Sequence, residues 1–129
     1  MTQEECLAAI NKVLKDFSWI NIEYICEIHY DLEKNEYYED IFNMDIGFVI
    51  FAMDGNQYKL RLKFYEVQNL DLSSRGGLVQ LSLFAILDVK DDGWCVARYW
   101  VRDIESENIN FYCNKIEFIS VEKSDIKVS

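Results

Sequence analysis

Hydrophobic and polar residues change period twice along this chain, and the changes mark its elements. Cys6, Ile10, Val13, Leu14 and Phe17 recur at spacings of three and four, the single apolar stripe of an amphipathic helix. Thr2 followed by Glu5 forms a capping-box pattern at its start, and the helix is expected to stop near Ser18. The period then becomes two. Ile20, Ile22, Tyr24, Cys26, Ile28 and Tyr30 alternate with Asn21, Glu23, Glu27, His29 and Asp31, which predicts a strand with one wet face.

A polar connection over residues 31–40 leads to a second strand, residues 41–53, with Phe42, Met44, Ile46, Phe48 and Ile50 on one face. A third strand carries Tyr58, Leu60, Leu62 and Phe64 inward and Lys59, Arg61 and Lys63 outward. A two-residue Asp54-Gly55 turn would set Phe48 against Arg61, mixing apolar and charged residues on one face. A three-residue Met53-Asp54-Gly55 loop pairs Phe48 with Leu60 and Ile46 with Leu62. It needs Gly55 in the left-handed conformation that a G1 bulge requires.

The same reasoning applied to residues 78–89 and 94–103, around Asp91-Asp92-Gly93, pairs Val89 with Cys95, Leu87 with Ala97 and Leu83 with Val101, with Gly93 left-handed. Both faces of this pair are apolar, as in covered central strands. A last strand over residues 109–121 loses its alternation near Asn114-Lys115, as at a β-bulge, and residues 122–129 are expected to fray. The pattern defines a β-rich α+β fold: an N-terminal helix packed on about six mostly antiparallel strands, with a two-layer β-sandwich carrying one helix at its end as the alternative. Its 129 residues fit one domain spanning 1–129.

Charge narrows the partners. The formal net charge is −10, which repels nucleic acid and anionic lipid and suits a basic protein or plain solubility. The acidic start lacks the basic segment of a secretory signal, and no apolar run approaches the roughly 20 residues of a membrane span, so a cytoplasmic location is expected. Cys6, Cys26, Cys95 and Cys113 form no C-x-x-C pair and read as thiols buried like small hydrophobes.

Candidate chemistry is sparse. His29 is the only histidine, set mid-strand on the polar face, and no G-x-S-x-G elbow occurs. Glu27, His29, Asp31 and Glu33 alternate along that face, but neighbours about 7 Å apart do not share one ion without another strand's help. Ser73-Ser74-Arg75-Gly76-Gly77 lacks the phosphate-loop spacing and reads as a turn. Lys59, Arg61 and Lys63 are too few for a nucleic-acid surface. No catalytic residue, metal site or cofactor is assigned. The segment 31–45 stands out: six acids against one lysine place half the net charge there, with Tyr37, Tyr38 and Phe42 among them. Carboxylates steer a basic partner and aromatics supply buried area, so Glu36, Tyr37, Tyr38, Glu39 and Asp40 are the candidate binding residues.

The strand cores Phe64-Tyr65-Glu66-Val67, Gln80-Leu81-Ser82-Leu83, Tyr99-Trp100-Val101-Arg102-Asp103 and Asn110-Phe111-Tyr112-Cys113 together resemble small β-rich bacterial proteins of unassigned function, several of them thought to be immunity partners of secreted toxins. The resemblance covers about half of the chain and transfers no functional residue. It implies a cytoplasmic protein that binds and blocks a toxin domain. A small-molecule-binding module lined by Trp19, Phe84, Trp94 and Trp100, or a carboxylate-dependent enzyme, is the alternative.

Overall fold

A computed structural model describes residues 2–73, 78–90 and 97–125. The fold is α+β and β-rich, with one N-terminal helix and nine strands in two sheets among the described residues. Helix α1 is Gln3–Asn11 and is followed by a single 3-10 turn, Trp19–Asn21. The strands are β1 Ile22–Lys34, β2 Asp40–Phe51, β3 Gln57–Tyr65, β4 Gln68–Leu72, β5 Val79–Gln80, β6 Phe84–Asp88, β7 Tyr99–Asp103, β8 Ile109–Cys113 and β9 Lys115–Lys123. One sheet has the order β5-β1-β2-β3-β9 and the other β4-β8-β7-β6. Edge-to-face aromatic pairs join the sheets, Phe48 with Phe84 at 5.2 Å and Phe64 with Phe111 at 5.0 Å between ring centroids. The sandwich is therefore the arrangement found, with α1 against edge strand β9. From there α1 contributes Cys6 and Ile10 to the shared core.

The capping box forms as expected, with the Glu5 N–H donating to Thr2 Oγ1 and the Thr2 N–H to Glu5 Oε1. The helix ends at Asn11, well before Ser18. The Asn11 side chain accepts from the Phe17 N–H at 2.9 Å and donates to the Phe17 carbonyl at 3.2 Å, so it closes a loop in place of another helical turn. Leu14 and Phe17 still reach the core, whereas Val13 is exposed.

Strand β1 also departs from simple alternation. Register shifts between Ile22 and Tyr24 and between Ile25 and Glu27 turn Ile22, Ile25, Ile28 and Tyr30 to the core side. Tyr24 joins Glu27, His29 and Asp31 on the outer face, and Ile20 is exposed in the 3-10 turn.

The β2–β3 hairpin has the expected register. Phe48 faces Leu60, Ile46 faces Leu62, and Met53-Asp54-Gly55 forms the loop with Gly55 at φ +83°. The later hairpin differs. Leu87 pairs with Trp100 and Ile86 with Val101, and the Val89 N–H bonds the Arg98 carbonyl; neither Leu87–Ala97 nor Leu83–Val101 is the pairing along β6 and β7, and Cys95 of the expected Val89–Cys95 pair lies outside the described residues. Buried Asp103 sets this register. One carboxylate oxygen accepts the Ser82 and Leu83 N–H groups at 3.1 and 2.8 Å, which fixes Leu83 beside Ile104 and places Phe84 and Ile86 next to Val101 on the core face. Gly93 lies outside the described residues.

Three further strands arise because runs that look continuous are divided between the sheets, and because residues 68–72 form an edge strand. Residues 78–89 leave the first sheet after Gln80 and enter the second at Phe84. The break at Asn114 is a change of sheet between β8 and β9, not a bulge within one strand. The chain also switches sheets between β3 and β4, where Glu66 has φ +56°. The end is tied further than expected: β9 runs to Lys123, and the Ser124 N–H bonds the Gln57 carbonyl at 2.9 Å.

Gly55 lies in open space, so its conformation alone decides the cost of a side chain. Gly55→Ala is expected to destabilise the protein by about 1 kcal/mol. In urea unfolding the midpoint should fall with an unchanged slope; an unchanged midpoint would refute a strained left-handed position.

Candidate functional site

The predicted binding residues lie together at the tip of the β1–β2 hairpin. Asn35 builds the tip: its side-chain oxygen accepts the Tyr37 and Glu39 N–H groups at 2.8 and 3.0 Å, and its own N–H bonds the Glu39 carbonyl. Lys34 and Asp40 close the neck with an exposed ion pair at 2.5 Å. Glu36, Glu39 and Asp40 are exposed, and Tyr37 and Tyr38 are 72% and 85% exposed. Tyr38 has φ +60°, a strained conformation for a residue with a Cβ, so the turn holds its ring out in solvent.

Below the tip the hairpin stands apart from the rest of its sheet. Strand β3 pairs with β2 only from Met44 onward, and β5 pairs with β1 only at Tyr24 and Ile25. Among the described residues, 40–43 of β2 therefore form a ladder with β1 alone, and from the other side only the Val67 N–H reaches the Phe42 carbonyl. The apolar stripe that buries Met44 completely continues outward as Tyr30, Leu32 and Phe42, which are 55%, 57% and 51% exposed. Phe42 was expected to face the core with Met44; it shares that side of the strand, but the core ends before reaching it. This apolar underside is what the sequence reading missed. Its signal was present: extending the Ile46–Leu62 register puts Phe42 opposite Glu66, where the apolar run of β3 has ended.

The outer face of the same sheet is charged and mostly paired. Glu27 contacts Lys59, His29 at 2.6 Å and Arg61 at 3.7 Å. Gly47 leaves the space Lys59 crosses, since a Cβ there would come within 2.8 Å of its Cε. The Lys59 hydrogen bond, then that of His29, hold the Glu27 carboxyl down at about 2, from an ordinary 4.5. Glu33 is different. A hydrogen bond shared with Asp31 raises its pKa, while Asn43 donates to its Oε2 at 2.7 Å and Lys63 stands 3.9 Å from its Oε1.

Other chemistry finds little support. Among the described residues no group of three His, Cys, Asp or Glu side chains is arranged to hold a metal ion, and no helix is long and apolar enough to cross a membrane. Burial raises the Cys6 thiol to about 11 and Cys113 to about 12, well away from the thiolate a nucleophile needs. Cys26 is only half-buried, against the expectation of four buried thiols, and Cys95 lies outside the described residues. The raised carboxyl of Glu33 sits on an open strand face, not in the cleft that a carboxylate-dependent enzyme uses. Trp19 and Phe84 pack in the core, and Trp100 stacks on Tyr112 across the outer face of the second sheet. A groove of about 350 Å³ beside Val13, Phe17, Phe51 and Met53 contains none of Trp19, Phe84 and Trp100, and Trp94 lies outside the described residues. Comparison with known proteins finds no matching family model, no matching curated protein and no matching solved structure.

Because Glu27 titrates lower in the folded than in the unfolded chain, its contribution to stability is complete above about pH 4.5 and is lost as the pH falls toward about 2. Glu27→Gln should therefore cost about 1 kcal/mol at pH 7, solvent screening included, and close to nothing near pH 2. Chemical denaturation at the two pH values checks this, and an equal loss at both would exclude the ion-pair cause.

Proposed function

We propose that this chain is a non-enzymatic protein-binding domain that grips a basic protein with its β1–β2 hairpin. The observation that carries this reading is the apolar stripe of Tyr30, Leu32 and Phe42, left uncovered beneath an acidic tip that displays Tyr37 and Tyr38. Carboxylates at the tip draw a cationic surface in, and aromatic and aliphatic side chains along the hairpin supply area to bury once contact is made. The resemblance to small bacterial immunity proteins makes a toxin domain, blocked in the cytoplasm, the favoured partner. Neutralisation then needs no chemistry from this chain, only occupancy of the toxin's basic face.

The test uses a partner captured from the source organism's lysate and its binding kinetics. Glu36, Glu39 and Asp40 are exposed, so reversing all three to Lys should leave the fold intact, at about 0.5 kcal/mol or less for Glu36 and Glu39 and about 1 kcal/mol for Asp40, whose exposed pair with Lys34 is lost. Association should slow at least tenfold, and the wild-type association rate should fall as salt shortens the Debye length below about 10 Å. Unchanged association and salt dependence in the triple variant would overturn the assignment.

Tyr38 separates stability from binding. Tyr38→Gly removes an exposed ring and relieves a left-handed backbone, so it should raise stability by about 1 kcal/mol. The same change should speed dissociation from the partner severalfold. A variant that is more stable and binds unchanged would show that the strained tyrosine has no part in recognition.

A further inference from the structure

The open edge of β1 indicates how a partner is held. Strand β1 has 13 residues and pairs with β2 as far as Lys34. On its other side it pairs with β5 at Tyr24 and Ile25, and the Leu81 N–H reaches the Glu23 carbonyl. Among the described residues no strand lies along β1 beyond Ile25.

The register shows which backbone groups point to that edge. The Asn35 N–H donates to the Glu39 carbonyl, which makes residues 35 and 39 a hydrogen-bonded pair. The pairing runs without a shift from Lys34–Asp40 to Ile28–Ile46, and antiparallel pairs alternate between bonded and non-bonded. Residues 29, 31 and 33 thus bond β2. Ile28, Tyr30, Leu32 and Lys34 direct their N–H and C=O groups outward, the layout that a further strand requires.

Resting on the hairpin reading above, we propose that the partner enters as an extended cationic segment that adds as a strand along residues 28–34 of β1. Side chains on the two faces of the edge specify that segment. The core side presents Ile28, Tyr30 and Leu32, and the outer side presents Glu27, His29, Asp31 and Glu33. A strand added there meets apolar neighbours on one face and acids on the other, so alternating aliphatic and Lys or Arg residues fit it. Glu27 already has Lys59 and Arg61. Asp31 has no cation within ion-pair distance among the described residues, and its neighbour Glu33 has Lys63 at 3.9 Å. A basic side chain on the incoming strand would stand about 5 Å from Asp31, measured between Cβ atoms, and would neutralise this crowded pair.

The same acids argue against a second copy of this chain as the occupant. Antiparallel pairing of β1 with itself about Tyr30 sets Glu27 against Glu33, and pairing about Asp31 sets that aspartate against its own copy. Directly opposed like charges destabilise a ladder, and the whole molecule carries −10. The edge is closed to its own kind by the charges that open it to a basic strand.

The probe is a nine-residue peptide alternating Lys and Val, compared with an isomer of identical composition whose lysines form one block. Fluorescence anisotropy at low salt should show the alternating peptide binding at least tenfold more tightly. Amide exchange should slow at Ile28, Tyr30 and Leu32 on binding and stay unchanged at His29, Asp31 and Glu33, which already bond β2. Leu32→Pro removes an edge N–H that β2 does not use, and it should bind at least tenfold more weakly than Leu32→Ala, which keeps that N–H. If Leu32→Pro fails to fold, the exchange pattern of the wild type decides alone. Equal affinity for both peptides, no binding of either, equal affinity of the two Leu32 variants, or protection confined to the tip would overturn strand addition. So would a dimer of this chain that Leu32→Pro abolishes. The hairpin reading fails on a different result, namely protein-partner association unchanged in the triple charge reversal, so the two are separable.

Discussion

Four times this chain passes from one sheet to the other, and three of these crossings, within the described residues, take backbone amides out of a ladder beside an apolar core. Such groups cost about 1–3 kcal/mol each when left without a partner. The molecule meets the demand with a few polar side chains. Asn43, fully buried, accepts the Glu66 N–H, and the Val67 N–H bonds the Phe42 carbonyl at 2.7 Å. Asn114 donates its side-chain amide to the Glu66 carboxylate and its backbone N–H to the Tyr65 carbonyl, and its side-chain oxygen accepts from the Arg98 N–H. The β3–β4 and β8–β9 crossings are thereby joined to each other, and Asp103 secures the third.

The β1–β2 hairpin depends on this corner. Where β3 bends away at Glu66, β2 loses its neighbour, and Asn43 marks the boundary between supported sheet and bare ribbon. Asn43 also donates to Glu33, so the residue that anchors the corner holds the base of the ribbon. Had β3 continued two residues further, Phe42 would have gained a partner strand and the underside would have narrowed. Exposure of Leu32 and Phe42 is thus a consequence of where a neighbouring strand changes sheet.

This explains which parts of the fold could be read in advance. The β2–β3 register was legible because only one face of the pair is apolar, so a slip by one residue would bury Arg61 or Lys59. Strands β6 and β7 carry apolar residues on both faces. Leu87 and Trp100 flank one side and Phe84 and Val101 the other, so several registers bury similar area and the pattern does not choose. Asp103 chooses, through two amides about twenty residues away, and nothing in local periodicity announces that bond. At Asn114 the lost alternation was visible, but a bulge and a change of sheet share that local signature and differ only in the partner strands. The acidic tip was legible from charge density alone. The apolar stripe beneath it was legible only at Phe42, which the β2–β3 register sets past the last apolar residue of β3; the exposure of Tyr30 and Leu32 depends on how far β5 extends, which no local pattern gives.

A two-stranded ribbon with a partly bare apolar face is marginal in water and invites pairing with its own kind. Under the proposed function, the devices that hold it in shape also define what it accepts. Asn35 and the Lys34–Asp40 pair close the tip, while the two register shifts near the base of β1 bend the strand where β5 stops. Asp31 and Glu33 crowd the outer face, and a hydrogen bond shared with Asp31 raises the Glu33 carboxyl pKa. A cation placed between those two acids relieves their mutual repulsion. That makes charge a selective device as well as a solubilising one: it weakens every contact this face would make with an acidic or neutral strand and strengthens the contact with a basic one.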